Sequence, residues 1–153
     1  MTDNDLRVAP HSRRQPAHLS ITPRQIEDLV DRFYGRVRDD ARLGPIFERR
    51  VQGDWGTHLD KMKGFWRSVL LKTGEYKGRP VPVHVQVGGI ENEHYVRWLE
   101  LFRQTVAEVF EPAAQPVVIE AAERIAQSLW LATSDELLAK PPTWSWVRGR
   151  GRQ

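Results

Sequence analysis

Apolar residues recur at three- and four-residue spacings in four stretches of the chain, a rhythm that predicts four amphipathic helices. The first opens in ITPRQIEDLV, where Thr22 suits an N-cap, Pro23 the first helical position, and Gln25 the far corner of a capping box. Its apolar stripe runs Ile26, Leu29, Val30, Phe33, Tyr34 and Val37, and its end falls near Asp39 or Asp40. In RLGPIF a Gly-Pro turn follows, with Ile46 and Phe47 just beyond it. A second helix begins near Asp54, after Gly53, and stops at Gly74; Trp55, Leu59, Met62, Phe65, Trp66, Val69 and Leu70 share its apolar side with His58. Two glycines and two prolines in TGEYKGRPVPV predict an ordered loop over residues 73–83. Beyond Gly88 and Gly89, Asn92 suits the cap of a third helix with Tyr95, Trp98, Leu99, Phe102, Val106 and Val109 on its core face. A fourth starts around Pro116 and presents Val118, Ala121, Ala122, Ile125 and Leu129, with Trp130 beside them. The alternation VPVHVQV is interrupted by Pro82 and ends on the glycine pair, so it does not predict a strand, and the fold class is all-α.

A plain helical bundle accounts for most of this pattern. It does not account for Tyr34, His58 and Trp98, three groups with polar atoms on the apolar faces of three different helices. A single Tyr or Trp on such a face usually sends its polar tip to the boundary. Three together predict a polar spot inside an otherwise apolar cavity.

Length and composition limit the chemistry that cavity can hold. A chain of 153 residues with 40% apolar content suits one domain with one core. There is no cysteine, which excludes disulfides, Cys-ligated zinc, iron–sulfur clusters and a thiol nucleophile. No apolar run approaches the ~20 residues of a membrane span, and the first residues lack the apolar middle of a secretory signal, so a soluble cytoplasmic protein is expected. The net charge of +3 and pI near 9.5 raise the question of nucleic acid. Seven of the 23 bases but only two of the 20 acids lie in residues 1–19 and 140–153, which leaves the middle at about −2. No nucleic-acid partner is therefore expected. The chain divides into a flexible N-terminal extension (1–20), a helical domain (21–139) and a basic flexible tail (140–153) that contains Trp144 and Trp146.

The segments FYGRVRDDARLGPIF, HLDKMKGFWRSVLL and YKGRPVPVHVQVGGIENEHYVRWLELF, in that order, resemble the truncated, two-over-two haemoglobins, and most closely their group III branch, over residues 21 to 132. The resemblance implies a two-over-two helical sandwich around haem b (iron protoporphyrin IX), with a loop-rich proximal segment. It makes His84 the proximal ligand and the one protein ligand to the metal. Tyr34 resembles the distal tyrosine whose hydroxyl faces the bound gas, His58 the distal gate, and Trp98 the tryptophan whose indole N–H reaches the ligand. Phe47 resembles the phenylalanine wedged against the porphyrin. Met62, one turn on from His58, also faces the ligand, and Phe65 and Trp66 line the haem pocket farther along. Lys61, Tyr76 and Arg79 are candidates for the two haem propionates.

The chemistry of the donor set agrees, since a porphyrin supplies four ligands and one neutral imidazole completes the protein's share. A competing metal site from His58, His84 and His94 is set aside because His94 falls outside the core stripe of its helix and is expected to be solvated; His11 and His18 fall in the N-terminal extension. The preferred function is high-affinity, reversible binding of oxygen, nitric oxide or another diatomic ligand. Two donors worth ~1.5 kcal/mol each slow ligand escape about a hundredfold, which suits retention better than bulk transport. One alternative is a haem enzyme for nitric oxide dioxygenation or peroxide detoxification; with no flavin domain or G-x-G-x-x-G fingerprint in the chain, it would need a separate reductase. A haem-free helical interaction module is the other. Oligomeric state is not legible.

Overall fold

A computed structural model describes residues 15–78 and 89–133, and among them there are five helices and no strand. In chain order they are α1 (Pro23–Asp39), α2 (Leu43–Val51), α3 (Trp55–Leu71), α4 (Asn92–Val109) and α5 (Gln115–Thr133). The predicted helices are all present, and a fifth, α2, stands where a turn was expected.

The start of α1 follows directly from its sequence. Gln25 N–H donates to Thr22 Oγ1 at 3.2 Å and Thr22 N–H donates to Gln25 Oε1 at 2.9 Å, so the capping box is closed in both directions. All six residues of the predicted apolar stripe are buried.

The Gly-Pro turn is corrected to the nine-residue helix α2. Pro45 is its third residue, within the first turn, where a backbone N–H has no intrahelical partner and its absence costs little. The Asp40 carboxylate accepts from the N–H groups of Arg42 and Leu43, at 3.1 and 3.0 Å, and so caps the start of the helix. Gly44 serves a close approach: a Cβ there would lie 2.7 Å from the carbonyl oxygen of Arg38, so any side chain would push α2 off the end of α1.

The remaining ends differ slightly from expectation. Asp54 caps α3, accepting from Thr57 N–H at 3.4 Å, but the helix stops at Leu71 because Lys72 already takes a left-handed conformation, ahead of Gly74. Glu91, one residue before the expected cap Asn92, is the N-cap of α4, and His94 closes its capping box. Before α1, Ala17 N–H donates to the Leu70 carbonyl at 2.8 Å, which lays this part of the chain on the end of α3.

The core is organised around Phe33, whose ring meets Tyr34, Trp98 and Phe102 edge-on with centroids 4.9, 5.3 and 5.2 Å apart. Trp66 and Trp98 both stack on Phe102, at 5.1 and 5.4 Å. Rings from α1, α3 and α4 therefore form one continuous cluster. At its edges, Arg36 donates to Thr105 Oγ1 at 2.7 Å and to Glu108, and Arg97 Nε donates to Asp40 at 2.7 Å, pinning α1 to α4. These contacts join α4 to α1, while α3 packs against α1 and α5 against α4. No helix among the described residues is long and apolar enough to cross a membrane.

Candidate functional site

The helices enclose a cavity of about 890 Å³. That is near the upper end of the roughly 300–1,000 Å³ typical of small-molecule and cofactor pockets. Nine of the site residues expected from sequence line it: Tyr34, Phe47, His58, Lys61, Met62, Phe65, Trp66, Tyr76 and Trp98. Arg79 and His84 lie outside the described residues.

At one end, α1, α2 and α3 bring rings together. His58 meets Tyr34 edge-on at 5.1 Å and Phe47 at 6.3 Å, and Phe47 in turn meets Tyr34 at 5.7 Å. Tyr34 is 4% exposed. Burial, and secondarily the neighbouring Tyr76 phenol, push its pKa well above the ordinary 10. Its hydroxyl thus keeps its proton throughout the physiological range and is available as a donor. Trp98, half-buried on α4, lines the same cavity with its position fixed by the stack on Phe102 and the edge of Phe33.

At the mouth, the segment after α3 is tied back onto that helix. Arg67 clasps Glu75 in two parallel bonds of 2.8 Å, the Thr73 hydroxyl donates to the same carboxylate at 2.9 Å, and Tyr76 N–H donates to Ser68 Oγ at 2.9 Å. Tyr76 is thereby held edge-on to Phe65 at 5.0 Å. The hydrogen bonds from Arg67, and next that from Thr73, bring the Glu75 carboxyl from its ordinary 4.5 down to about 2. A depressed acid supports the folded form fully above its unfolded value, so this tether's contribution to stability is complete above pH 4.5 and declines as pH falls from there toward 2, where the carboxylate itself protonates and the clasp opens. A carbon-detected NMR titration is expected to show Glu75 protonating near the lower value, with the Tyr76 amide losing its exchange protection in step. A Glu75 that titrates at the ordinary value would contradict the clasp.

Arg50, Lys61 and Lys77 also reach the cavity, and among the described residues none of the three forms an ion pair. Among the described residues, these three cations, none of them in an ion pair, and the Tyr76 phenol line a mostly apolar cavity whose wall also includes Asp54, Asp60 and Glu75. Arg50 and Lys77 were not among the expected residues, and nothing in their local sequence separates them from ordinary surface charges.

His94 needs correction. It is half-buried and lines the cavity, and its Nδ1 accepts the Glu91 N–H at 2.8 Å. The signal was present, because His94 lies four residues before Trp98 and so shares its face. Tyr95 lines the cavity as well, with its hydroxyl 2.6 Å from Thr133 Oγ1, which itself donates to the Leu129 carbonyl at 2.8 Å. Ile125 and Leu129, already assigned to the apolar face of the last helix, complete the wall together with Ala126. Among the described residues no cluster of three His, Cys, Asp or Glu side chains is arranged to hold a metal ion.

No protein-family profile matches the chain. The group 3 truncated hemoglobin ctb of Campylobacter jejuni subsp. jejuni is 32% identical to it over 110 residues, which cover 70% of this chain and 87% of that protein. The crystal structure of a group III truncated hemoglobin from Campylobacter jejuni matches with a TM-score of 0.73 at 29% identity, over 77% of this chain and 95% of that one. Identity at this level along most of a relative's length, on the same all-α architecture, leads to one assignment: the chain belongs to the group III truncated haemoglobins and has their truncated globin fold.

Proposed function

We propose that this chain binds haem b in the cavity, with His84 as the axial ligand, and reversibly holds oxygen or another diatomic ligand against Tyr34, His58 and Trp98. The observation that carries this reading is the convergence of those three polar side chains, from three separate helices, on one cavity of about 890 Å³ with largely aromatic and aliphatic walls. The residues present fit the cofactor. Flat apolar walls suit a porphyrin, and Lys61 and Tyr76, joined by Arg50 and Lys77, suit its two carboxylates. Arg79 has the same charge and the same candidate role.

A haem held here supplies an iron centre that takes diatomic gases. The chain does the rest. Tyr34, kept protonated by burial, donates a hydrogen bond to a partly charged diatomic guest, and the Trp98 indole N–H adds a second. Met62, Phe65 and Trp66 keep water from the guest, and Phe47 packs at the cavity edge. His58 packs against both Tyr34 and Phe47, and its imidazole is the gate assigned to the guest in this reading. Two donors favour retention over rapid release, which suits sensing, scavenging or redox conversion of the ligand better than bulk delivery.

The test is the absorption spectrum of the purified full-length chain, before and after addition of haem and then carbon monoxide. A Soret band at one haem per chain that shifts with carbon monoxide is expected. A chain that stays colourless after haem is added would sink the reading in favour of a helical interaction module.

A further inference from the structure

Trp55 is absent from the cavity wall, yet it touches His58, which lines that wall and is the gate in the reading above. It is the first residue of α3 and only 6% exposed, and it lies one helical turn before His58. Its indole ring meets the His58 imidazole edge-on, with centroids 5.6 Å apart and planes at 89°. The indole is itself fixed from two other helices. Its Nε1–H donates to Glu48 Oε2 of α2 at 2.7 Å, and the Arg38 guanidinium at the end of α1 lies 4.6 Å from its ring centre.

We infer that Trp55 is a positioning residue that holds His58 in the closed setting of the ligand gate, and that Glu48 and Arg38 hold Trp55. The inference rests on the haem-and-gas reading above for what the gate admits. Three rings surround His58; Tyr34 and Phe47 belong to the cavity and meet any guest, whereas Trp55 does not. Trp55 touches no guest directly; it meets the Tyr34 ring more distantly, tilted with centroids 6.4 Å apart, so its action through His58 is isolated by making the same substitution with and without His58. An imidazole that swings away gives up its edge-on contact with the indole, and the indole cannot follow without breaking its bond to Glu48 or sliding from under Arg38. Glu48 and Arg38 are both exposed, so two surface charges set how firmly an internal gate is shut. One edge-to-face contact corresponds to a change of about threefold to tenfold in the closed-to-open ratio.

The test uses the full-length, haem-loaded chain and the rate of carbon monoxide entry after flash photolysis. Trp55→Leu is expected to speed entry about threefold to tenfold, by loss of the contact just described. Trp55→Phe, which keeps a ring, and Glu48→Gln, which weakens the anchor, should each produce a smaller rise. In a His58→Leu background all three rises should vanish. A second readout needs no haem: the carbon-bound ring protons of His58, followed by NMR in the full chain, should lose the ring-current displacement of a held imidazole in Trp55→Leu. A rise that persists without His58, or His58 ring signals indifferent to residue 55, would overturn the inference. If Trp55→Leu does not fold, Trp55→Phe and Glu48→Gln decide the same comparison. A chain that binds no haem would remove the gas-binding reading, while the ring signals would still decide whether Trp55 holds His58.

Discussion

His84→Ala is expected to lose most of the haem carried by the full-length chain, with the Soret absorbance per chain falling while the far-ultraviolet helical signal stays. A porphyrin leaves its iron needing only one strong ligand from the protein, and the chain has no cysteine to substitute for an imidazole. Any ligand bond worth more than about 1.4 kcal/mol implies a loss of affinity beyond tenfold when it is removed. Helix content should survive, because residue 84 lies between α3 and α4 and outside both. Free imidazole added to the variant should restore part of the axial coordination. His94→Ala is the control: His94 lines the cavity, but its Nδ1 is engaged by the Glu91 N–H, so that variant should keep its haem. Full retention of the wild-type spectrum by His84→Ala would overturn the assignment.

Tyr34→Phe should release a diatomic ligand about tenfold faster, the effect of deleting one hydrogen bond of ~1.5 kcal/mol to a partly charged guest. The substitution removes a single oxygen and leaves the ring contacts to Phe33, Phe47 and His58 in place, so haem content and stability should change little. Trp98→Phe should have an effect of similar size, and the double variant about a hundredfold, provided the two donors act independently. Because burial holds the proton on Tyr34, wild-type release should be flat from about pH 6 to about pH 11, with no alkaline acceleration on passing the ordinary tyrosine value. Stopped-flow displacement of oxygen by carbon monoxide measures both the rate and its pH dependence. Release rates indistinguishable from wild type in both single variants would remove the hydrogen-bonding mechanism.

Much of the architecture is legible in local patterns. Thr22, Pro23 and Gln25 specify the start of α1, and its six apolar positions are the six that are buried. The difficulty comes where one residue type serves two purposes. The Gly-Pro pair at 44 and 45 has the chemistry of a turn, yet the glycine is there to admit the Arg38 carbonyl and the proline sits harmlessly in the first turn of α2. His94 is a different case: it was placed outside the core stripe of its helix and expected to be solvated, although its four-residue spacing from Trp98 puts it on the same face. Tyr34, His58, Met62, Phe65, Trp66 and Trp98 meet in one cavity because helical spacing already put each on the inward side of its own helix, whereas Phe47 arrives on the unforeseen α2 and Tyr76 on the segment after α3.

What sequence alone determined is local: where helices begin, which face of each is apolar, and that Tyr34, His58 and Trp98 interrupt those faces with polar atoms. Such features depend on residues within one or two turns of each other, a distance over which periodicity and capping chemistry suffice. Only the tertiary structure decided which faces meet. The Arg97–Asp40 pair spans 57 positions and the Tyr95–Thr133 bond 38, and the indole of Trp55 is held by Arg38 and Glu48 from two other helices. Those contacts follow from the angles at which helices cross, set by close approaches such as that of Gly44 and by the aromatic stack on Phe102; no local pattern encodes an angle between helices.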